Sequence, residues 1–149
     1  MNLPFRSPAP SCNDIPVLRE SDASLGVANQ VEQRKGDVAT ALPAGLAIAA
    51  SFDPAIGWEG GSMIGAEARA KRFNVLLAGG VNLTRDPWAG RNFEYLGEDP
   101  LLAGEMAGET IRGVQSNHIV STIKHFAINS QETGRHVMDA RIGEADLRE

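Results

Sequence analysis

Three groups of polar side chains follow apolar segments of the sequence, where successive parallel strands would deliver them to one surface. The groups are Arg19, Glu20 and Asp22; Arg85, Asp86, Arg91 and Glu94; and Lys124, His125, Asn129, Gln131 and Glu132. Their spacing is not that of metal ligands. A hydroxyl group both donates and accepts hydrogen bonds, and ionised side chains form the stronger ones. The three groups therefore suit a neutral ligand rich in hydroxyls, such as a sugar, with no metal.

Each of these residues also has a simpler structural explanation. Asp22 could cap a helix or lie in a loop, and Arg91 with Glu94 could be a solvated surface pair worth about 0 to 1 kcal/mol. Lys124 and His125 directly follow an apolar, β-branched segment, where polar groups without partners are costly. That position favours a place in a site for the Lys-His pair.

The remaining histidines and the tryptophans carry weaker signals. His118 and His136 fall in predicted loops and are expected on the surface. Trp88 stands beside the second polar group and is a better candidate for stacking on a sugar than Trp58, since an isolated tryptophan is more often a packing residue.

The elements that must position these groups alternate between strand and helix. Apolar runs predict the strands, and helical spacing with Asp-Pro at the start predicts the helices. Asp99 is assigned to the cap of the second helix. The predicted strands cover residues 15–18, 74–78 continuing through 81–83, and 119–123; the predicted helices cover 54–72, 100–115 and 140–149.

This order predicts an α/β protein with parallel strands and a site at their C-terminal ends. The pattern alone leaves an open sheet and a barrel as alternatives. The sequence contains no GxGxxG, GxxxxGK[ST] or CxxC motif, so the usual nucleotide and zinc-ribbon signatures are missing.

Composition excludes several classes of partner. The net charge is −5 and the 14 Lys and Arg residues are scattered, which predicts no binding to nucleic acid. The longest apolar runs are too short for a membrane span or a signal peptide, so a cytoplasmic chain is expected from the sequence as written. Residues 1–14 contain three prolines and Cys12, the one cysteine, and are predicted to form a flexible tail.

From residue 15 to residue 149 the sequence resembles glycoside hydrolase family 3. The resemblance rests on four strings: IPVLRESDASLGVAN (15–29), LAIAASFDP (46–54), IGAEARAKRFNVLLAGGVNLTRDPWAGRNFEYLGEDPLLAGEMAGETIRGVQS (64–116) and STIKHFAINSQETGR (121–135). Within them GRNFE (90–94), EDP (98–100) and KHF (124–126) occur in the family's order and at its separations. It implies that residues 15–149 are part of a (β/α)8 TIM barrel, with about three βα units. It also implies a β-glucosidase-type enzyme that hydrolyses terminal non-reducing β-D-glucosyl residues by a retaining mechanism, without a cofactor, and a periplasmic or secreted parent enzyme.

The resemblance assigns roles to five residues that would bind a β-glucoside or related β-glycoside. Asp22 would accept hydrogen bonds from distal sugar hydroxyls. Arg91, Lys124 and His125 would hold the hydroxyls nearer the reacting carbon, and Glu94 would support Arg91.

One departure from the family concerns the reaction itself. A retaining glycosidase needs two carboxyl groups about 5 to 5.5 Å apart, and the family's SDW-like nucleophile motif is missing. The catalytic residues are therefore unknown, with Asp22, Asp86, Glu94 and Glu132 as candidates. The alternative is a non-catalytic sugar-binding fragment or a piece of a barrel that depends on a partner. Since a full barrel takes at least roughly 200 residues, a homo-oligomer or a complementing chain is expected to cover the open sheet edges.

Overall fold

The computed structural model describes residues 16–29 and 34–148. The flexible tail predicted for residues 1–14 lies outside the described residues and stays a prediction. In chain order the elements are β1 (Glu20–Asp22), α1 (Gly45–Ala49), α2 (Pro54–Ala70), β2 (Val75–Leu77), a 3-10 helix (Asn92–Glu94), α3 (Pro100–Gln115), β3 (Val120–Ser121) and α4 (Glu144–Arg148).

The three strands form one parallel sheet in the order β1-β2-β3. Leu76 of β2 lies opposite Ser21 of β1 on one side and Ser121 of β3 on the other. Parallel neighbours in sequential order, joined by helices, are the arrangement of consecutive units of a (β/α)8 barrel. The α/β fold class and its partial-barrel architecture are confirmed.

Helices α2 and α3 begin where their Asp-Pro pairs predict. The carboxylate of Asp53 accepts a hydrogen bond from the amide of Ala55 at 3.0 Å. The carboxylate of Asp99 accepts from the amides of Leu101 at 2.8 Å and Leu102 at 3.2 Å. Each cap satisfies amides that have no partner within the helix. Both helix predictions are confirmed, although α2 ends at residue 70 instead of 72.

Glycines let α2 and α3 approach each other closely. A Cβ atom on Gly61 would lie 2.2 Å from the carbonyl oxygen of Thr110, and one on Gly113 would lie 2.2 Å from the carbonyl oxygen of Trp58. These glycines lower helix propensity, but they allow backbone contact between the helices. Below the helices, the fully buried side chains of Ile64, Leu76 and Val114 belong to the core that joins them to the sheet.

The first strand begins later than predicted. The side-chain amide of Asn74 accepts a hydrogen bond from the backbone of Arg19 at 2.7 Å and donates to the carbonyl of Val17 at 2.8 Å. The carbonyl of Val17 thus bonds to a side chain, and backbone contact with β2 begins only at Arg19, whose carbonyl accepts from the amide of Val75 at 3.1 Å. Leu18 is exposed. Pairing with β2 starts at Glu20, so the prediction of a strand over residues 15–18 is wrong, with residue 15 outside the described residues.

The other predicted strands are longer than the observed ones. After β2, the sheet contact is an isolated bridge between Gly80 and Lys124, and residues 81–83 leave the sheet. Strand β3 ends at residue 121, although the amide of Thr122 still donates to the carbonyl of Leu76 at 3.0 Å. Helix α4 starts at residue 144 instead of 140. Helix α1 and the 3-10 helix are not predicted by the sequence pattern.

No helix among residues 16–29 and 34–148 has both the length and the apolar character needed to cross a membrane.

Candidate functional site

A cavity of about 800 Å³ opens at the C-terminal ends of the strands. The last residues of β1 and β2, Asp22 and Leu77, line it together with the segment that follows β3. All five residues predicted to bind a sugar line this cavity and are called the polar wall below: Asp22, Arg91, Glu94, Lys124 and His125.

Lys124 connects the two ends of the polar wall. Its Nζ atom lies 2.9 Å from Oδ1 of Asp22 and 3.2 Å from Oε2 of Glu94. The backbone positions it, because the amide of Lys124 donates to the carbonyl of Gly79 at 3.0 Å, just beyond β2. Extension of the sheet past β3 thus brings together side chains that are 102 residues apart.

Glu94 is the buried centre of the polar wall, with 6% of its surface exposed. Arg91 occupies the N-cap position of the 3-10 helix, three residues before Glu94, and its guanidinium donates to Oε1 of Glu94. The hydroxyl of Ser24 donates to Oε2 at 2.9 Å. Burial by itself would raise the pKa of Glu94, but hydrogen bonds from Arg91 and Ser24 and the charge of Lys124 lower it below its ordinary value. Glu94 is therefore an ionised carboxylate with donors on both oxygens.

His125 is held from behind by Tyr95 and Asn82. Its Nδ1 atom lies 3.1 Å from Oδ1 of Asn82 and 3.2 Å from the hydroxyl of Tyr95. Tyr95 is 1% exposed and also donates to the carbonyl of Asn129 at 3.1 Å. Burial lowers the pKa of His125, and the positive charges of Arg91 and Lys124 lower it further. The imidazole is therefore neutral at pH 7.

A third carboxylate, Glu132, lies beside Arg91 but does not line the cavity. Its Oε1 atom lies 3.8 Å from Nη1 of Arg91 and accepts a hydrogen bond from the side chain of Asn129 at 3.0 Å. Arg135 lies 3.1 Å from Oε2 and itself lines the cavity. The hydrogen bond from Asn129 lowers the pKa of Glu132, and the charges of Arg135 and Arg91 add to it.

Other members of the three polar groups lie apart from the cavity. The side chain of Arg85 donates to the hydroxyl of Ser130 at 2.7 Å. Asp86 accepts a hydrogen bond from the amide of Trp88 at 2.9 Å, which is a local turn. Trp88 is 91% exposed. The remaining members that do not line the cavity are Arg19, Glu20, Asn129, Gln131 and Glu132.

The site contains four residues that the sequence does not single out, and one of them, Tyr95, directly follows the GRNFE motif. Ser24 stands two positions after Asp22, Asn82 lies in a run interpreted as strand, and Arg135 closes the string STIKHFAINSQETGR. The signal available for Ser24 and Arg135 was their place inside the strings of the family resemblance. Asn82 also lies inside one of these strings, but the string does not reveal its role, which depends on contact with a residue 43 positions away.

The charges around the cavity balance. Arg91, Lys124 and Arg135 line the cavity. Their charges are balanced by Asp22 and Glu94, which also line it, and by Glu132, which does not line it but pairs with Arg135. In the part of the chain that the structure describes, no three His, Cys, Asp or Glu side chains are grouped so as to hold a metal ion. Donors and acceptors without a net charge suit a neutral, hydroxyl-rich ligand.

The sequence pattern of the family described as "Glycosyl hydrolase family 3 N terminal domain" matches residues 7–149. The chain belongs to this family. Among curated relatives, β-glucosidase BoGH3A of Bacteroides ovatus is 40% identical over 152 residues, which cover 97% of this chain and 20% of that protein. A β-glucosidase of Ruminococcus albus is 45% identical over 114 residues, covering 76% of this chain and 12% of that protein.

Solved structures give the same result. A β-glucosidase from Streptomyces venezuelae in complex with D-glucose matches 91% of this chain and 17% of its own, with a TM-score of 0.84 and 38% identity. A family 3 β-glucosidase from Bifidobacterium adolescentis matches 91% of this chain and 19% of its own, with a TM-score of 0.83 and 35% identity. The chain thus spans a fifth or less of the length of the relatives described here.

Proposed function

We propose that this chain forms the sugar-binding wall of a β-glucosidase-type glycoside hydrolase, which removes terminal non-reducing β-D-glucosyl residues with retention of configuration. The observation that carries the proposal is the charge-balanced polar wall, whose five predicted residues line one cavity at the strand ends. The β-glucosidase names of the relatives support the same substrate class.

Within the polar wall, Asp22 accepts hydrogen bonds from the sugar hydroxyls farthest from the reacting carbon, and Arg91, Lys124 and His125 hold the nearer ones. Glu94 binds no sugar in this proposal. Its two oxygens are occupied by Arg91, Ser24 and Lys124, so it orients the two cations. Ordered donors and acceptors of this kind contribute to catalysis by fixing the sugar ring for attack.

The four candidate carboxylates are poor sources of the nucleophile and the acid. Asp22 pairs with Lys124, Glu132 pairs with Arg135, and Asp86 holds a turn. A nucleophile must be accessible, and a general acid needs a raised pKa, whereas the pKa values of Glu94 and Glu132 are lowered. We therefore assign the catalytic pair to parts of the enzyme outside these residues.

The carboxylate pairing also favours the second candidate function, sugar binding without turnover by these 149 residues alone.

Strands β1 and β3 each pair on one side only within the described sheet, and unpaired edges invite pairing with another strand. A second copy or a complementing segment of barrel is the proposed partner. Light scattering would test this, because a stable monomer in solution would contradict it.

The test of function uses the purified chain with a panel of aryl β-glycosides and with D-glucose. We expect binding of glucose without hydrolysis. The variant Asp22→Asn should weaken binding about tenfold or more, since a hydrogen bond to a charged group is worth about 1.5 to 3 kcal/mol. The control Asp139→Asn removes an exposed carboxylate that pairs with Arg141 and should change nothing. Equal affinity in both variants would refute the assignment of Asp22, and absence of any sugar binding would refute the proposal.

A further inference from the structure

The hydrogen bonds behind His125 determine which ring nitrogen carries its proton. The amide N–H of His125 donates to Oδ1 of Asn82 at 2.9 Å. The backbone amide can only donate, so it fixes the oxygen of the Asn82 side chain, not its nitrogen, at this position. The same oxygen lies 3.1 Å from Nδ1 of the ring. An amide oxygen can only accept, so Nδ1 must bear the hydrogen.

Tyr95 imposes the same requirement from the other side. Its hydroxyl hydrogen is directed to the carbonyl of Asn129 at 3.1 Å, because a carbonyl cannot donate in return. Burial raises the pKa of Tyr95, so the phenol keeps this hydrogen. The phenol oxygen, 3.2 Å from Nδ1 of His125, is then left as an acceptor. Both polar neighbours of Nδ1 accept hydrogen bonds.

We propose that Asn82 is a positioning residue that locks His125 in the Nδ1–H tautomer, so that Nε2 accepts a hydrogen bond from a hydroxyl of the bound sugar. The second half of this proposal rests on the proposed sugar-binding function. His125 lines the cavity, and the hydrogen bonds given by the described residues engage Nδ1. Nε2 is consequently the ring atom available to the ligand.

The consequence is a division of labour between adjacent residues. Lys124 has donors and no acceptor, whereas a locked, neutral His125 offers an acceptor and no donor from the ring atom that faces the ligand. Lys124 then donates hydrogen bonds to sugar hydroxyls, and His125 accepts one from a sugar hydroxyl. A methyl ether in place of the hydroxyl at His125 would lose the bond, because the ether cannot donate.

The first experiment needs no sugar. Nitrogen-15 NMR of the labelled chain, at a pH where imidazole is neutral, distinguishes protonated from unprotonated ring nitrogens. The chain has three histidines, and exposed His118 and His136 serve as internal references. We expect His125 alone to show Nδ1 protonated and Nε2 unprotonated. The variant Asn82→Leu leaves the phenol oxygen of Tyr95 as an acceptor at Nδ1, so it should shift His125 part of the way toward the other tautomer. Asn82→Asp, which restores the second acceptor, should return it.

The second experiment titrates D-glucose into the same variants. Asn82→Leu should weaken binding about three- to tenfold, as expected for one hydrogen bond, and Asn82→Asp should recover most of it. Circular dichroism would show whether each variant is folded. If Asn82→Leu does not fold, the proposal is tested on Asn82→Asp and on the unsubstituted chain. A protonated Nε2 in the unsubstituted chain would overturn the tautomer assignment. A correct tautomer in a chain that binds no glucose would instead overturn the proposed function and the role of His125 in it.

Discussion

Replacing Glu94 by glutamine removes a buried negative charge that Arg91 and Lys124 share. Truncating one partner of a buried ion pair costs about 3 to 5 kcal/mol. Here the side chains of Arg91 and Lys124 are 21% and 15% exposed, and each keeps a second carboxylate, Glu132 at 3.8 Å and Asp22 at 2.9 Å. Both facts reduce the loss, so we expect Glu94→Gln to lower the free energy of unfolding by about 2 to 3 kcal/mol.

Urea unfolding followed by circular dichroism measures this loss. With a urea dependence of about 1 to 3 kcal/mol per molar, the midpoint should fall by roughly 0.7 to 3 M. The matched control is Glu109→Gln, which also breaks a Glu-Arg pair three residues apart, but whose partner Arg112 is 70% exposed. That control should change stability by less than about 0.5 kcal/mol. Equal effects of the two substitutions would refute the view that Glu94 organises the polar wall.

The lowered pKa of Glu94 predicts that the stability difference between the unsubstituted chain and Glu94→Gln depends on pH. The folded state holds the pKa of Glu94 below its ordinary value of 4.5, so its ionisation stabilises the fold above that pH. As pH falls from 4.5 toward the lower pKa of the folded state, Glu94 becomes protonated and this contribution is lost. The stability difference between the unsubstituted chain and Glu94→Gln should therefore be constant near neutrality and shrink in acid. A difference that grows in acid would contradict the sign of the shift.

Three further predictions concern α2 and α3. Gly61→Ala should destabilise the chain by about 3 kcal/mol or more, because the new Cβ would lie 2.2 Å from the carbonyl oxygen of Thr110. Gly104→Ala, whose Cβ meets nothing within 4 Å, should stabilise it by about 0.5 to 1 kcal/mol. Asp99→Ala should lower the free energy of unfolding by about 1 kcal/mol, because α3 loses its cap. The urea midpoint should fall while the affinity for glucose stays unchanged. A change in affinity would show that Asp99 has a role beyond the cap.

The sequence predicts α2 and α3 well because their signals are local. An Asp-Pro pair starts each helix, and the apolar spacing that follows needs no knowledge of the rest of the chain. The apolar run at residues 15–18 predicts the wrong position for β1, because the side chain of Asn74 bonds to the backbone of Val17 and Arg19 and pairing with β2 starts only at Glu20. The sequence does not predict helix α1, because Gly45 at its start lowers helix propensity. The structure needs glycine there, since a Cβ would lie 2.8 Å from the carbonyl oxygen of Tyr95.

In the candidate site, as in the fold, local sequence predicts some features, whereas others depend on contacts between distant segments. The family strings name the residues of the polar wall, since each lies inside a recognisable motif. The contacts that organise it join distant segments: Ser24 reaches Glu94 across 70 positions, and Asn82 reaches His125 across 43. No periodicity or motif encodes such contacts, because they depend on which strands become neighbours in the parallel sheet.

An NMR titration of the labelled chain with D-glucose tests the central claim most directly, because it locates binding whether or not the sugar is hydrolysed. We expect amide shifts in the segments that line the cavity: 22–28, 91–94 and 122–125. Gly104 and Gly108 of α3, where a Cβ would meet open space, should be unaffected. Shifts confined to other surfaces, or none at saturating glucose, would contradict the assignment of this cavity as the sugar site.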